Sequence, residues 1–180
     1  GQPQAGDHTG EGALKPESSP CPVLVLGMGN ILLEDEGLGI RALEALKRGF
    51  QFSTEVELLD GGTTGMGLLD DLSCRQHLLV LDAVQTGDPP GTLVKLHDDE
   101  VPVYFGLRVT PHQLGLADVL ATLALSDEQP ENVTVLGLVP QSLELALEPS
   151  DLICSRLPAL VAAAVEELTR LGYPPTPSSA

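Results

Sequence analysis

Basic residues are scarce in this chain: nine lysines and arginines face 26 aspartates and glutamates, for a formal net charge of −17. A surface of that sign repels phosphate backbones and anionic lipids, which argues against nucleic acid as a partner. Cysteine is also rare. Cys21, Cys74 and Cys154 stand far apart with no CxxC pair, which argues against a disulfide framework or a structural zinc site. Long apolar runs are missing too: LLVL and VTVLGLV fall well short of the roughly 18 to 20 residues that span a bilayer. The first twenty residues lack a basic start followed by an apolar stretch, so no secretory signal is read there and a cytoplasmic location is expected. Finally, there is no HExxH, no GxSxG and no P-loop, which leaves zincin, serine-hydrolase and nucleotide-hydrolase chemistry without a motif.

What is present fits one folded domain. The chain has 180 residues, 42% of them hydrophobic and 19% charged, which is enough apolar sequence for a single core. Residues 1–20 are rich in Gly, Pro, Ser and charge without apolar period and read as a flexible N-terminal tail. Residues 174–180 have a similar composition and read as a flexible C-terminal tail, with Pro174 and Pro175 stopping any helix that reaches them. The domain is then 21–173.

Inside it, short β-branched or leucine-rich runs alternate with amphipathic stretches, the pattern of strands joined by crossover helices. Strands are expected near 22–28, 53–60, 77–84, 91–97 and 131–139, and helices near 36–49, 66–73, 112–124 and 151–171. The fourth strand follows the third after only TGDPP, too short for a parallel crossover, so it is expected as an antiparallel edge. The predicted fold is α/β, with a five-stranded, mainly parallel sheet.

In such sheets ligands bind beyond the carboxyl ends of the strands, and three of those ends carry candidate ligands. Glu36 stands in the first turn of the first long helix, where an acid can also simply complement the helix dipole. Asp82 ends the apolar run HLLVL, as a site carboxylate or as a turn residue. His112 follows Thr110 and Pro111 in a T-x-x-Q capping box completed by Gln113, so a helix is expected to start here. The dipole at a helix start disfavours imidazolium, and a neutral ring can lend a lone pair to a metal; packing beneath a loop is the alternative role. Together a glutamate, an aspartate and a histidine make an oxygen and nitrogen set suited to nickel, manganese or zinc, with a coordination position left open for water or substrate. GMGNIL begins like a dinucleotide fingerprint, and Asp60 could hold a ribose, but Leu32 occupies the third glycine position.

VLVLGMGNILLEDEGLG, ELLDGGTTGMGLLDDL, HLLVLDAV, TPHQLGLADVLATL and VTVLGLVPQSLEL resemble, in order and at similar spacing, the nickel-iron hydrogenase maturation proteases. The resemblance implies a three-layer αβα sandwich around a twisted sheet. It implies an endopeptidase that removes a C-terminal extension from the precursor of a hydrogenase large subunit after nickel insertion. Glu36, Asp82 and His112 fall on that family's metal-binding positions, so they are expected to grip nickel already seated in the precursor; no tightly held metal is expected in the free enzyme. No residue stands out as a nucleophile, and Asp60 is the best candidate for a supporting acid, with a turn residue before two glycines as its other reading. Two departures from the family pattern stand out. Gln141 replaces an expected glutamate, and Thr110 stands where serine is usual. The alternative functions are a nickel-dependent checkpoint that binds the precursor without cutting it, and a dinucleotide-binding module.

Overall fold

The computed structural model describes residues 21–29, 37–62, 68–101, 116–141 and 149–179. Strand β1, Val23–Met28, lies inside the main sheet, and its six residues are all buried. An all-apolar strand of this kind is stable only when covered on both faces, and the chain supplies both covers. Strand β2 is Phe50–Gln51, β3 Val56–Gly62, β4 His77–Ala83, β5 Leu93–His97, β6 Asn132–Leu138 and β7 Thr176–Pro177. The helices are α1 (Leu38–Gly49), α2 (Leu69–Leu72), α3 (Leu116–Leu125) and α4 (Asp151–Arg170).

The five-stranded sheet runs β3-β1-β4-β6-β5. Its first four strands are parallel and β5 lies antiparallel to β6. The expected antiparallel edge strand is therefore present, but its partner is β6, which slots in between β4 and β5. The compositions explain the order: β6 buries most of its side chains and needs a neighbour on each side, whereas β5 carries Lys95 and a part-exposed Leu93, features tolerated at an edge.

Alternation along the strands sorts the core into two layers. Val23, Val25, Leu79, Leu81 and Leu136 pack against Leu43 and Leu46 of α1 and Leu160 and Leu168 of α4. Leu24, Leu26, Leu78, Val80 and Val135 pack against Leu72 of α2 and Val119 and Leu123 of α3. The result is the αβα sandwich expected from the sequence. Ser150 caps α4 by accepting a hydrogen bond from the Ile153 amide at 3.4 Å.

The helix expected at 66–73 is confined to Leu69–Leu72 among the described residues, and the one expected at 112–124 is described from Leu116 onward. The N-terminal segment 1–20 lies outside the described residues. Residues 174–180, expected as a flexible tail, differ from that reading: Thr176–Pro177 pairs antiparallel with Phe50–Gln51, and the Ser178 amide donates to the Gly49 carbonyl at 2.9 Å. The turn that makes this possible is a left-handed Gly172 (φ 96°), after which the Tyr173 amide reaches back to the Leu168 carbonyl at 2.8 Å. Two prolines then hold the chain extended, which lowers the entropy lost on adding a short strand.

Candidate active site

From β1 the chain builds outward to β3 on one side, then returns to place β4 on the other side of β1. That reversal puts a topological switch point at the carboxyl ends of β1 and β4, the position where open α/β sheets bind ligands. Asp82 stands at this end of β4 and is 4% exposed. A carboxylate so little exposed must be satisfied locally, and its Oδ1 accepts a hydrogen bond from the Ala83 amide at 2.8 Å. By alternation it shares a face with Leu78 and Val80, the face covered by α2 and α3.

Two glycines bring neighbouring elements tightly against the Asp82 backbone. A Cβ added at Gly39, in the first turn of α1, would lie 2.1 Å from the Leu81 carbonyl oxygen and 2.4 Å from that of Met28. A Cβ added at Gly137, the β6 partner of Asp82, would lie 2.3 Å from the Asp82 carbonyl oxygen. Helix α1 thus starts directly on the ends of β1 and β4, and β6 crowds Asp82 from the other side. The run VTVLGLV marks Gly137 only as one more strand residue; a glycine inside an apolar strand is the one available signal for such close approach.

Glu36 and His112 lie outside the described residues, as does Thr110. In sequence Glu36 directly precedes Gly37, the residue that caps α1, and His112 stands shortly before the described start of α3. Among the described residues no three His, Cys, Asp or Glu side chains group together for a metal ion. Asp60 lies at the same end of the sheet as Asp82, on β3, with β1 between them. It pairs with Gly27 just before the register shifts between Gly27 and Met28, and it is exposed. Alternation puts Asp60 on the α1 face and Asp82 on the opposite face, so the two carboxylates lie on opposite sides of the sheet. Gln141 is exposed a few residues past the end of β6.

The fold is that of an α/β protein with a mainly parallel sheet and a buried carboxylate at its topological switch point. Residues 40–167 match the family described as HycI, hydrogenase maturation protease. The hydrogenase 2 maturation protease of Escherichia coli is 50% identical over 123 residues, 68% of this chain and 75% of its own length. The hydrogenase expression/formation protein HupD of Thiocapsa roseopersicina is 41% identical over 154 residues, covering 83% of this chain and 69% of its own. Among solved structures, the hydrogenase maturating endopeptidase HybD from E. coli matches with a TM-score of 0.83 at 42% identity, over 86% of this chain and 96% of that one. The chain belongs to the hydrogenase maturation proteases, and its activity is that of an endopeptidase in hydrogenase maturation.

Proposed function

We propose that this endopeptidase removes the C-terminal extension of a nickel-loaded hydrogenase large-subunit precursor and recognises the substrate through its nickel. The observation that carries the reading is Asp82, a carboxylate 4% exposed at the topological switch point of the sheet. A carboxylate held this far from water attracts a cation more strongly than a solvated one does, because the local dielectric is low. Glu36 and His112 belong to the segments that follow β1 and precede α3, and with Asp82 they supply two oxygens and one nitrogen for that ion. Nickel held by these side chains would supply polarisation of the scissile carbonyl or of the attacking water. Water adds its oxygen to the carbonyl carbon, the C–N bond breaks, and the water's protons end on the new amine and the new carboxyl group. Asp60 is the supporting acid in this scheme.

The test is direct. The pure protein is incubated with nickel-loaded and nickel-free large-subunit precursor and the products are weighed. Loss of the C-terminal extension from loaded precursor alone is expected; equal cleavage of both would remove nickel from the recognition step, and cleavage of neither would remove this precursor as the substrate.

A further inference from the structure

The sheet face beneath α4 is apolar through Leu79, Leu81, Leu136 and Leu138, then turns polar toward the amino ends of β4 and β6. There, at the end of the sheet remote from Asp82, a cavity of about 580 Å³ is bounded by His77 on β4, Asn132 and Thr134 on β6, Lys95 and His97 on β5, and Arg170 on α4. This is an unusual concentration for so acidic a chain. Two of its nine lysines and arginines and two of its four histidines line one cavity.

The hydrogen bonds fix which ring nitrogens remain available. Asn132 Nδ2 lies 3.2 Å from His77 Nδ1, which engages that nitrogen and leaves Nε2 over. His97 Nδ1 is likewise engaged, 3.2 Å from Thr134 Oγ1, leaving Nε2 over. Glu167, 1% exposed, takes Lys95 Nζ at 2.6 Å and Arg170 through Nε and one Nη. One carboxylate therefore faces two permanent cations, and the other Nη of Arg170 has no partner among the described residues. Asp98 is the opposing acid at the rim, with one oxygen taken by the Val133 amide at 2.8 Å. At physiological salt charges more than about 8 Å away are largely screened, so the chain's remote acids weigh little against these groups. Tying α4 to β5 accounts for the Lys95–Glu167–Arg170 contacts, and an edge-to-face contact with Tyr173, ring centroids 6.4 Å apart, helps to orient His77, but neither accounts for an open cavity between the two imidazoles.

We propose that this cavity is a second binding site, for a small oxyanion of the phosphate or carboxylate class. Arg170 and Lys95 supply the charge, and the Nε2 positions of His77 and His97 supply directional hydrogen bonds. The site is separate from the switch point at Asp82 and does not depend on the nickel reading.

The experiment follows the imidazole resonances of the full chain by NMR at pH 7 while inorganic phosphate, and separately acetate, replaces chloride at constant ionic strength. His77 and His97 are expected to shift saturably, with His8 and His112 unmoved, and the tighter of the two ions identifies the preferred class. Arg170→Gln should weaken binding about tenfold, as expected for loss of a charge-assisted contact. Because that change also touches Glu167, His77→Gln is measured beside it and should weaken binding with an unchanged unfolding midpoint. No saturable shift with either ion, or shifts that persist undiminished in both variants, would overturn the proposal.

Discussion

Asp82 closes an apolar run, and a carboxylate in that position belongs at the carboxyl end of a buried strand, where it lies 4% exposed and bonded to the Ala83 amide. Asp82→Asn keeps the volume and the accepting oxygen but removes the charge. Under the proposed function, processing should fall by at least about 100-fold, the upper end of what losing a partner around a metal costs. The unfolding free energy should change by less than about 1 kcal/mol. Glu36→Gln and His112→Ala should match it in activity. A large loss of stability with cleavage retained would make Asp82 a structural residue. Glu167 makes the opposite case: Arg170 three residues on marks an ordinary helix-surface pair, and nothing local announces the burial or the second partner, Lys95, which stands 72 residues away. Burial pushes its carboxyl up, but hydrogen bonds from Arg170 and Lys95 and their charges outweigh burial and hold it at about 2, against an ordinary 4.5. A carboxyl lowered in the folded state adds stability that is fully present above its unfolded value and is lost as pH falls toward its folded value. Acid unfolding should therefore steepen between about pH 4.5 and 2, and Glu167→Gln should flatten that window. Because Lys95 and Arg170 are partly exposed, we expect the effect to be about 1–2 kcal/mol rather than the full shift. Denaturant titrations across pH check it.

At the scale of elements, what can be read from the residues alone depends on period and length. Strands β1, β4 and β6 are long apolar runs with covering helices between them, and the short link after β4 is enough to announce an antiparallel β5. The β2–β7 ribbon is illegible in sequence because two residues hold no period, and its formation depends on the turn at Gly172 and on the exit of α1. The polar cavity is equally hidden: its lining comes from three strands and a helix, with no spacing that links them. The glycines divide in the same way. A dinucleotide fingerprint asks for a third glycine at position 32, yet the glycine that lets α1 meet the strand ends is Gly39. Its added Cβ would strike two backbone oxygens, which cannot rotate away as a side chain can. Gly39→Ala should thus push α1 off the ends of β1 and β4 and cost about 1–3 kcal/mol. Processing should drop further than stability alone explains, because Glu36 shortly precedes this helix start in sequence. Gly49→Ala is the control: an added Cβ there meets nothing within 4 Å, and its stability should stay within about 1 kcal/mol of the parent. Equal behaviour of the two variants in thermal unfolding and precursor cleavage would remove Gly39 from any positioning role.

For the whole molecule the question is which protein owns the metal, and under the proposed function the answer is the substrate. Three side chains are assigned to the ion, Glu36, Asp82 and His112, and they come from three separate segments of the chain. A tight resident transition-metal site has four protein ligands, or three in a cage oriented by further hydrogen bonds. Asp82 spends one oxygen on the Ala83 amide, which orients it but also competes for its lone pairs. The net charge of −17 draws cations toward the surface in general, yet that attraction is screened by salt and selects none of them. Modest affinity in the free enzyme is the consequence. Under the same proposal the precursor's nickel is held by cysteine thiolates, so the enzyme's harder oxygen and nitrogen donors would complete a coordination shell rather than create one. Substrate and metal then arrive as a unit, and selectivity for loaded precursor needs no separate sensor. Treating the enzyme with a chelator and then removing the chelator should leave cleavage of loaded precursor unchanged. Nickel-free precursor should stay whole whatever the enzyme has been exposed to. Elemental analysis of the purified enzyme decides between the owners. One tightly held ion per chain, whose removal abolishes cleavage of loaded precursor, would assign the metal to the enzyme and make the reaction that of an ordinary metalloprotease.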